Sequence, residues 1–280
     1  MVEIQFDSKY FNIKDTLDCG QIFRYQPYKD GYLVFSLDKA CYVYQKDEQV
    51  TILCNNEDEG YFYNYFDLQT DYSQIVKSAK GSGFELLVRA SELGKGVRIL
   101  RQDKIEMLFS FIISQNNHIP RIKGIIERIS NVLGAKRQFM GYEYFAFPTV
   151  QKLAEQSSEF YAKLGLGYRA EYISNVAKAL ASGFTIEDGA DTITLKESLI
   201  KLHGVGPKVA DCVSLFGYYR TDSFPVDTWI EKVYKQDFNG AISDRKKIAK
   251  WFVDTFGNYS GYFQQYLFYY KRSLENTDRA

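Results

Sequence analysis

Lys208 is the residue whose type and place invite a reaction. It follows Gly204-Val205-Gly206-Pro207, in the first turn of a helix that Pro207 opens. A lysine there is electrostatically misplaced, because the unpaired N–H groups of a helix start already carry positive potential. The same field favours the free amine, and the free amine is the nucleophile. Asp227 comes 19 residues later, in Phe224-Pro225-Val226-Asp227-Thr228. A fixed, ionised carboxylate suits the cationic sugar that forms when an N-glycosidic bond breaks. Each residue also has an ordinary reading. Lys208 is then an exposed surface lysine, and Asp227 caps the helix that begins at Thr228. Asp227 would favour the ammonium form of a close lysine, against the helix start. The sequence leaves that contest open.

The segment before Lys208 adds an anion site. Two helices are joined only by Gly204-Val205-Gly206, after a helix expected to be capped by Thr194 and Glu197. Glycines allow positive φ and close backbone approach. The free N–H groups of the second helix then face outward, suited to a phosphate of DNA. Such a contact holds the backbone and reads no base. Gly-Val-Gly alone equally describes a tight structural turn. The lysine and the Pro-Val-Asp together tip the reading toward catalysis.

Elements must bring these residues together, and the chain divides for that purpose. Its 280 residues are enough for two cores. Tyr32–Leu37, Cys41–Tyr44 and Val50–Leu53 are short β-branched and aromatic runs between turn signals, which predicts an antiparallel meander. The polar loop from Asn55 to Gly60 ends it. Beyond residue 95 the pattern is helical. Asp103 and Glu106 mark a helix start, Pro120 opens another, and Ile122, Ile125, Ile126, Ile129 and Leu133 line one face until Gly134. Ser158, Ser243 and Ser260 are further expected caps. The expected class is α+β: a β domain over residues 1–95 and a helical catalytic domain over 96–280, with the boundary at Gly94-Lys95-Gly96.

Charge follows the same division. Residues 1–95 hold ten basic against fifteen acidic side chains, and residues 96–280 hold 25 against 20. A zero net charge thus hides a basic second part, where phosphate contact is expected. Two histidines and four scattered cysteines (Cys19, Cys41, Cys54, Cys212) match no metal or redox spacing. No secretory segment and no apolar run of about 18 residues occurs, so the expected setting is a reducing cytosol without a membrane partner.

At the hairpin and Pro225-Val226-Asp227 the sequence resembles the helix-hairpin-helix, Gly/Pro-Asp DNA glycosylase superfamily. Cys19-Gly20-Gln21-Ile22-Phe23-Arg24, Phe109 through Asn117, and Leu164-Gly165-Leu166-Gly167-Tyr168-Arg169-Ala170 make it similar to the 8-oxoguanine branch. The resemblance covers nearly the whole chain and implies a TBP-like N-terminal β domain. It implies a monomer without cofactor, acting on double-stranded DNA that contains 8-oxoguanine. The damaged nucleotide is flipped out. Lys208 attacks C1′, Asp227 assists, the base leaves, and a Schiff base permits strand cleavage by β-elimination. It also implies site roles. Gly20 accepts from N7–H of the base, Cys212 and Phe268 sandwich it, and Gln264 meets its pairing edge. Asn116 fills the gap in the duplex, Tyr168 wedges beside the estranged base, and Arg121 and Arg169 contact that base. Gly204 and Gly206 hold the backbone.

The sequence also departs from that pattern. Trp229 stands where animal members have histidine, which puts a phosphate contact from that side chain in doubt. His118 and Pro120 alter the Asn-rich block, and His203 replaces a proline common before Gly-Val-Gly. Cys212 and Phe268 also fit plain core packing. Two other functions compete. An alkylpurine glycosylase of the same fold hydrolyses with the aspartate alone and typically lacks the hairpin lysine. A non-catalytic hairpin protein needs neither Lys208 nor Asp227.

Overall fold

Five antiparallel strands form the first layer: β1 (Val2–Asp7), β2 (Tyr25–Tyr28), β3 (Gly31–Ser36), β4 (Lys39–Lys46) and β5 (Gln49–Cys54). The computed structural model describes residues 1–278, with side chains through Leu274. The sheet order is β1-β5-β4-β3-β2. The expected meander is β3 to β5, paired as Val34↔Cys41 and Val43↔Ile52. Strands β1 and β2 were not among the expected runs. β2 lies at the edge, where Pro27 costs no ladder bond inside the sheet. Both faces of the sheet are covered. Val34, Val43 and Ile52 pack on Phe11, Phe62 and Phe66. Leu33, Phe35 and Tyr42 pack on Phe139 and Tyr144 of a second hairpin, β6 (Lys136–Phe139) and β7 (Tyr142–Phe145). Burial on two faces explains why these strands read as continuous apolar runs rather than alternation.

The first part is not a meander alone. It also holds helices Ile13–Asp18, Glu59–Tyr65, Tyr72–Lys80 and Glu85–Leu93. Their caps are legible in hindsight: Asn12 accepts from the N–H of Asp15 at 2.9 Å, and Asp71 from that of Ser73 at 2.9 Å. Tyr72, Ile75, Leu87 and Ala90 join the helical core, whereas Leu100 belongs to the core under the sheet. Packing therefore passes between the two cores on both sides of residue 95.

The second part is a stack of helices, and acidic caps start four of them. Asp103 accepts from Ile105 and Glu106 N–H, at 2.9 and 2.8 Å, to start Lys104–Ser114. Glu106 does not reach back as a capping partner. It turns inward, accepts from Leu37 N–H at 2.7 Å and faces Arg24 at 3.5 Å. Three expected caps move by one to three residues: Ser157 replaces Ser158, Asp191 replaces Thr194, and Asp244 replaces Ser243. Ser260 is the first residue of its helix instead of a cap, and its hydroxyl donates to Gly257 at 2.6 Å. The C-terminal helix, Ser260–Asp278, crosses back to the first part. Tyr269 donates to Asp15 at 2.6 Å, and Arg272 to the Asp18 carbonyl at 2.9 Å. Among the described residues, no helix is long and apolar enough to cross a membrane.

Candidate active site

The helix Pro207–Phe216 starts without a capping side chain, because its N-cap is Gly206. Its first N–H groups are thus left for a ligand. Gly204 has φ +83°, and a Cβ there would meet the Tyr172 ring at 2.2 Å. Only glycine makes that turn. Gly206 is different: φ is −89° and a Cβ would meet nothing within 4 Å. Openness, rather than backbone strain, is its contribution. Gln115 holds the hairpin from below by donating to the Gly204 carbonyl at 3.0 Å.

Lys208 is exposed at the helix start. Its ammonium lies 5.6 Å from the centre of the Phe111 ring. Phe111 is fixed in turn by stacking on Phe216, with centroids 5.5 Å apart, and by the edge of Phe23. Asp227 is a true N-cap: one oxygen, Oδ1, accepts from Trp229 and Ile230 N–H, each at 2.9 Å. The cap and a chemical role are compatible, since the cap engages one oxygen.

A small cavity of about 70 Å³ gathers Lys208 and Asp227 with Gly20, Cys212, Gln264 and Phe268. These six come from four separate stretches of sequence. Gly20 has φ +86°, and an added Cβ would stand 3.3 Å from Phe268 Cε1. Gly20 and Phe268 therefore abut. Burial pushes the Cys212 thiol up to about 11 against the pull of Lys208, so it is a neutral, apolar wall. Gln264 donates weakly to the Pro225 carbonyl at 3.4 Å, and its side-chain oxygen is buried without a partner. Larger cavities lie away from these residues. A cavity of about 460 Å³ lies between β2, β7 and helix Ile119–Leu133, but neither Lys208 nor Asp227 lines it.

The other expected residues form a second cluster outside this cavity. It is built on the turn at Gln115-Asn116. Asn116 is exposed with φ +44°. Tyr168 is 53% exposed and donates to the Gln115 carbonyl at 3.2 Å. Arg169 is buried, and its guanidinium donates to the carbonyls of Gln115, Asn116 and Leu166. Arg121 is exposed and donates only weakly to the Gly165 carbonyl, at 3.3 Å. Arg121 thus has donors to spare where Arg169 has few. Trp229 is exposed beside Asp227, with the Lys232 ammonium 4.9 Å from its ring centre.

Several residues near the chemistry escaped the sequence reading. Phe111 and Gln265 line the cavity. Asp211, one turn after Lys208, is buried and paired with Lys196 at 2.6 Å. Burial raises its carboxyl above the ordinary value against the Lys196 charge. Gln21, next to Gly20 in sequence, is tied into the buried framework. Gln21 donates to the Arg98 carbonyl at 2.7 Å and accepts from Leu100 N–H at 2.9 Å. A glutamine beside a glycine was the available signal, but its buried network is not local.

The chain is similar to known proteins along most of its length. Residues 3–108 match the family model described as 8-oxoguanine DNA glycosylase, N-terminal domain. Residues 109–253 match that of the HhH-GPD superfamily base excision DNA repair proteins. A probable N-glycosylase/DNA lyase of Methanothermobacter thermautotrophicus is 30% identical, over 76% of this chain and 75% of that one. An Arabidopsis thaliana N-glycosylase/DNA lyase is 34% identical, but the match spans 65% of this chain and only 54% of that protein. The 8-oxoguanine glycosylase/lyase of Clostridium acetobutylicum, solved with duplex DNA carrying cytosine opposite 8-oxoguanine, superposes with a TM-score of 0.90. It is 36% identical and covers 98% of this chain and 99% of its own.

Proposed function

The chain belongs to the 8-oxoguanine DNA glycosylase family of the HhH-GPD superfamily, and from that premise we propose that it excises 8-oxoguanine from duplex DNA and then cuts the strand. The observation that carries this reading is the shared cavity. Lys208 and Asp227 line it together with Gly20, Cys212, Gln264 and Phe268. The flipped nucleotide enters there. The Lys208 amine attacks C1′ as the bond to N9 breaks, and the base leaves with that electron pair and gains a proton. Asp227 stabilises the developing positive charge on the sugar. The sugar opens to a Schiff base on Lys208. Loss of a C2′ proton then expels the 3′ phosphate, and water releases the enzyme.

The remaining roles follow the same reading. Phe268 stands against Gly20, where a Cβ would already lie 3.3 Å from the ring, so there is no open slot for a purine between them. Base entry therefore moves a wall, and half-buried Phe268 against Gly20 is the candidate. The Gly20 carbonyl accepts from N7–H. Gly204 and Gly206 present backbone to phosphate. Asn116 and Tyr168 occupy the duplex gap, and Arg121 leads in contacting the opposite base because Arg169 is already engaged. The enzyme works as a monomer without a cofactor.

Borohydride trapping on an 8-oxoguanine duplex tests the proposal. The wild type is expected to form a covalent adduct that Lys208→Gln abolishes. Base excision without any adduct would overturn the lyase step. An alkylpurine glycosylase would leave 8-oxoguanine in place.

A further inference from the structure

The C-terminal helix carries two adjacent glutamines at the cavity, and the function described so far uses one. Gln264 and Gln265 are 5% and 3% exposed, and both line the cavity with Lys208 and Asp227. The side-chain oxygen of each is buried without a hydrogen-bond partner. Native proteins leave few such oxygens unpaired, and each asks for an explanation. Seven other described residues carry an orphaned buried atom, and none of them lines this cavity.

Helical spacing sets the two amides around one ring. Phe268 lies four residues after Gln264 and three after Gln265, so both are its neighbours on one helix face. Cys212 lines the same cavity, and Gly20 stands against the ring edge. A flat base held between Cys212 and Phe268, as the proposed function has it, shares that cavity with both glutamines. Gln264 spends its amide N–H on Pro225, which leaves its oxygen as the acceptor.

Two acceptors side by side describe the ligand edge. The pairing edge of a guanine-type base offers N1–H and a 2-amino group, both donors. An adenine-type edge offers an acceptor at N1 and meets two acceptors badly. We propose that Gln265 is a second specificity residue, whose amide oxygen accepts from the base edge beside Gln264 and helps select a 2-amino-6-oxopurine. The inference rests on the reading of this cavity as the 8-oxoguanine site. It deepens that reading by adding a second contact to the edge of the base.

Single-turnover excision from two duplexes separates the possibilities. One carries 8-oxoguanine, and the other 8-oxohypoxanthine, which lacks only the 2-amino group. The wild type is expected to prefer 8-oxoguanine by about tenfold or more, the size of one good hydrogen bond. Gln265→Met keeps the length and removes the amide. It is expected to slow 8-oxoguanine excision about tenfold while changing 8-oxohypoxanthine by less than about threefold. Gln265→Glu retains an acceptor and is expected to restore the preference. Equal slowing of both bases by Gln265→Met means a packing role and overturns the inference, as does an unchanged preference. Should Gln265→Met fail to fold, a wild type indifferent to the 2-amino group overturns it alone. A wild type that excises 8-oxoguanine while Gln265→Met keeps its preference sinks only this inference. A wild type inert on 8-oxoguanine sinks the function on which it rests.

Discussion

At the scale of single residues, the two ends of the proposed chemistry differ in what they owe to folding. Lys208 is exposed and makes no bond that the helix needs. Asp227 holds the start of helix Thr228–Asp237 through two N–H groups at 2.9 Å. That double duty makes the choice of substitution decisive. Asparagine caps as well as aspartate, so Asp227→Asn should leave thermal stability nearly unchanged. Its loss of charge should slow single-turnover excision by about a hundredfold or more. Asp227→Ala should lose the rate and also about 1 kcal/mol of stability, the usual worth of a cap. Near-normal turnover in the asparagine variant would show that Asp227 serves only as a cap. Both roles were legible in the sequence, because a cap and a Pro-Val-Asp are local patterns. Asp211 and Gln265 were not. Their meaning comes from burial beside Lys196 and Phe268, residues placed by other turns and helices.

At the scale of elements, the hairpin and the inter-part latch carry different constraints. The two hairpin glycines look alike in sequence, and the structure separates them. Gly204→Ala would need positive φ and would drive Cβ into Tyr172 at 2.2 Å. It should destabilise the fold by well over ~1 kcal/mol, seen as a lower denaturation midpoint. Gly206→Ala meets nothing in the protein, so it should fold normally and instead weaken DNA binding, where a backbone phosphate approaches. Equal melting of both variants would contradict this split. The latch was hidden from sequence reading because Glu106 imitates a capping residue. In the structure it binds Leu37 N–H and Arg24, and Arg24 donates onward to the Phe145 carbonyl at 2.5 Å. Burial raises the Glu106 carboxyl above its ordinary value, and Arg24 only partly opposes it. The sign follows from linkage. The folded state holds this proton more tightly than the unfolded chain, so the contribution is greatest below the ordinary carboxylate value. It is lost as pH rises through the folded value. Glu106→Gln cannot titrate and should remove that component. Denaturant midpoints of both proteins, compared from pH 4 to pH 8, should converge least on the alkaline side. A constant difference across that range would exclude titration of Glu106 as the cause.

At the scale of the whole molecule, the division read from sequence shows in composition, while packing crosses it. Residues 1–95 are acidic in balance and residues 96–280 basic, as the charge counts show. Yet the active cavity takes Gly20 from the first part and Lys208, Asp227 and Phe268 from the second. Polar ties cross between them, among them Arg24 with Glu106, Tyr269 with Asp15, and Arg272 with the Asp18 carbonyl. Helices Tyr72–Lys80 and Glu85–Leu93 precede the expected boundary but pack in the helical core. Cys19 and Phe23 also join the helical core, and Leu100 returns to the sheet's core, so packing draws no single boundary along the chain. Sequence composition cannot show this, since it counts residues along the chain and not the faces they meet. The consequence is thermodynamic. Two parts that share a core and buried polar ties gain little from unfolding separately, because each would expose apolar surface and strand charges such as Arg24. One cooperative transition is therefore expected. The probes can be separated by place, since both tryptophans, Trp229 and Trp251, lie in the helical part while the sheet reports through its β-strand amide-I infrared band. Tryptophan emission and the β signal should change at the same denaturant concentration and with the same slope. A sheet that melts ahead of the tryptophans would restore two independent domains. It would also imply that Gly20 can leave the cavity without disturbing Lys208.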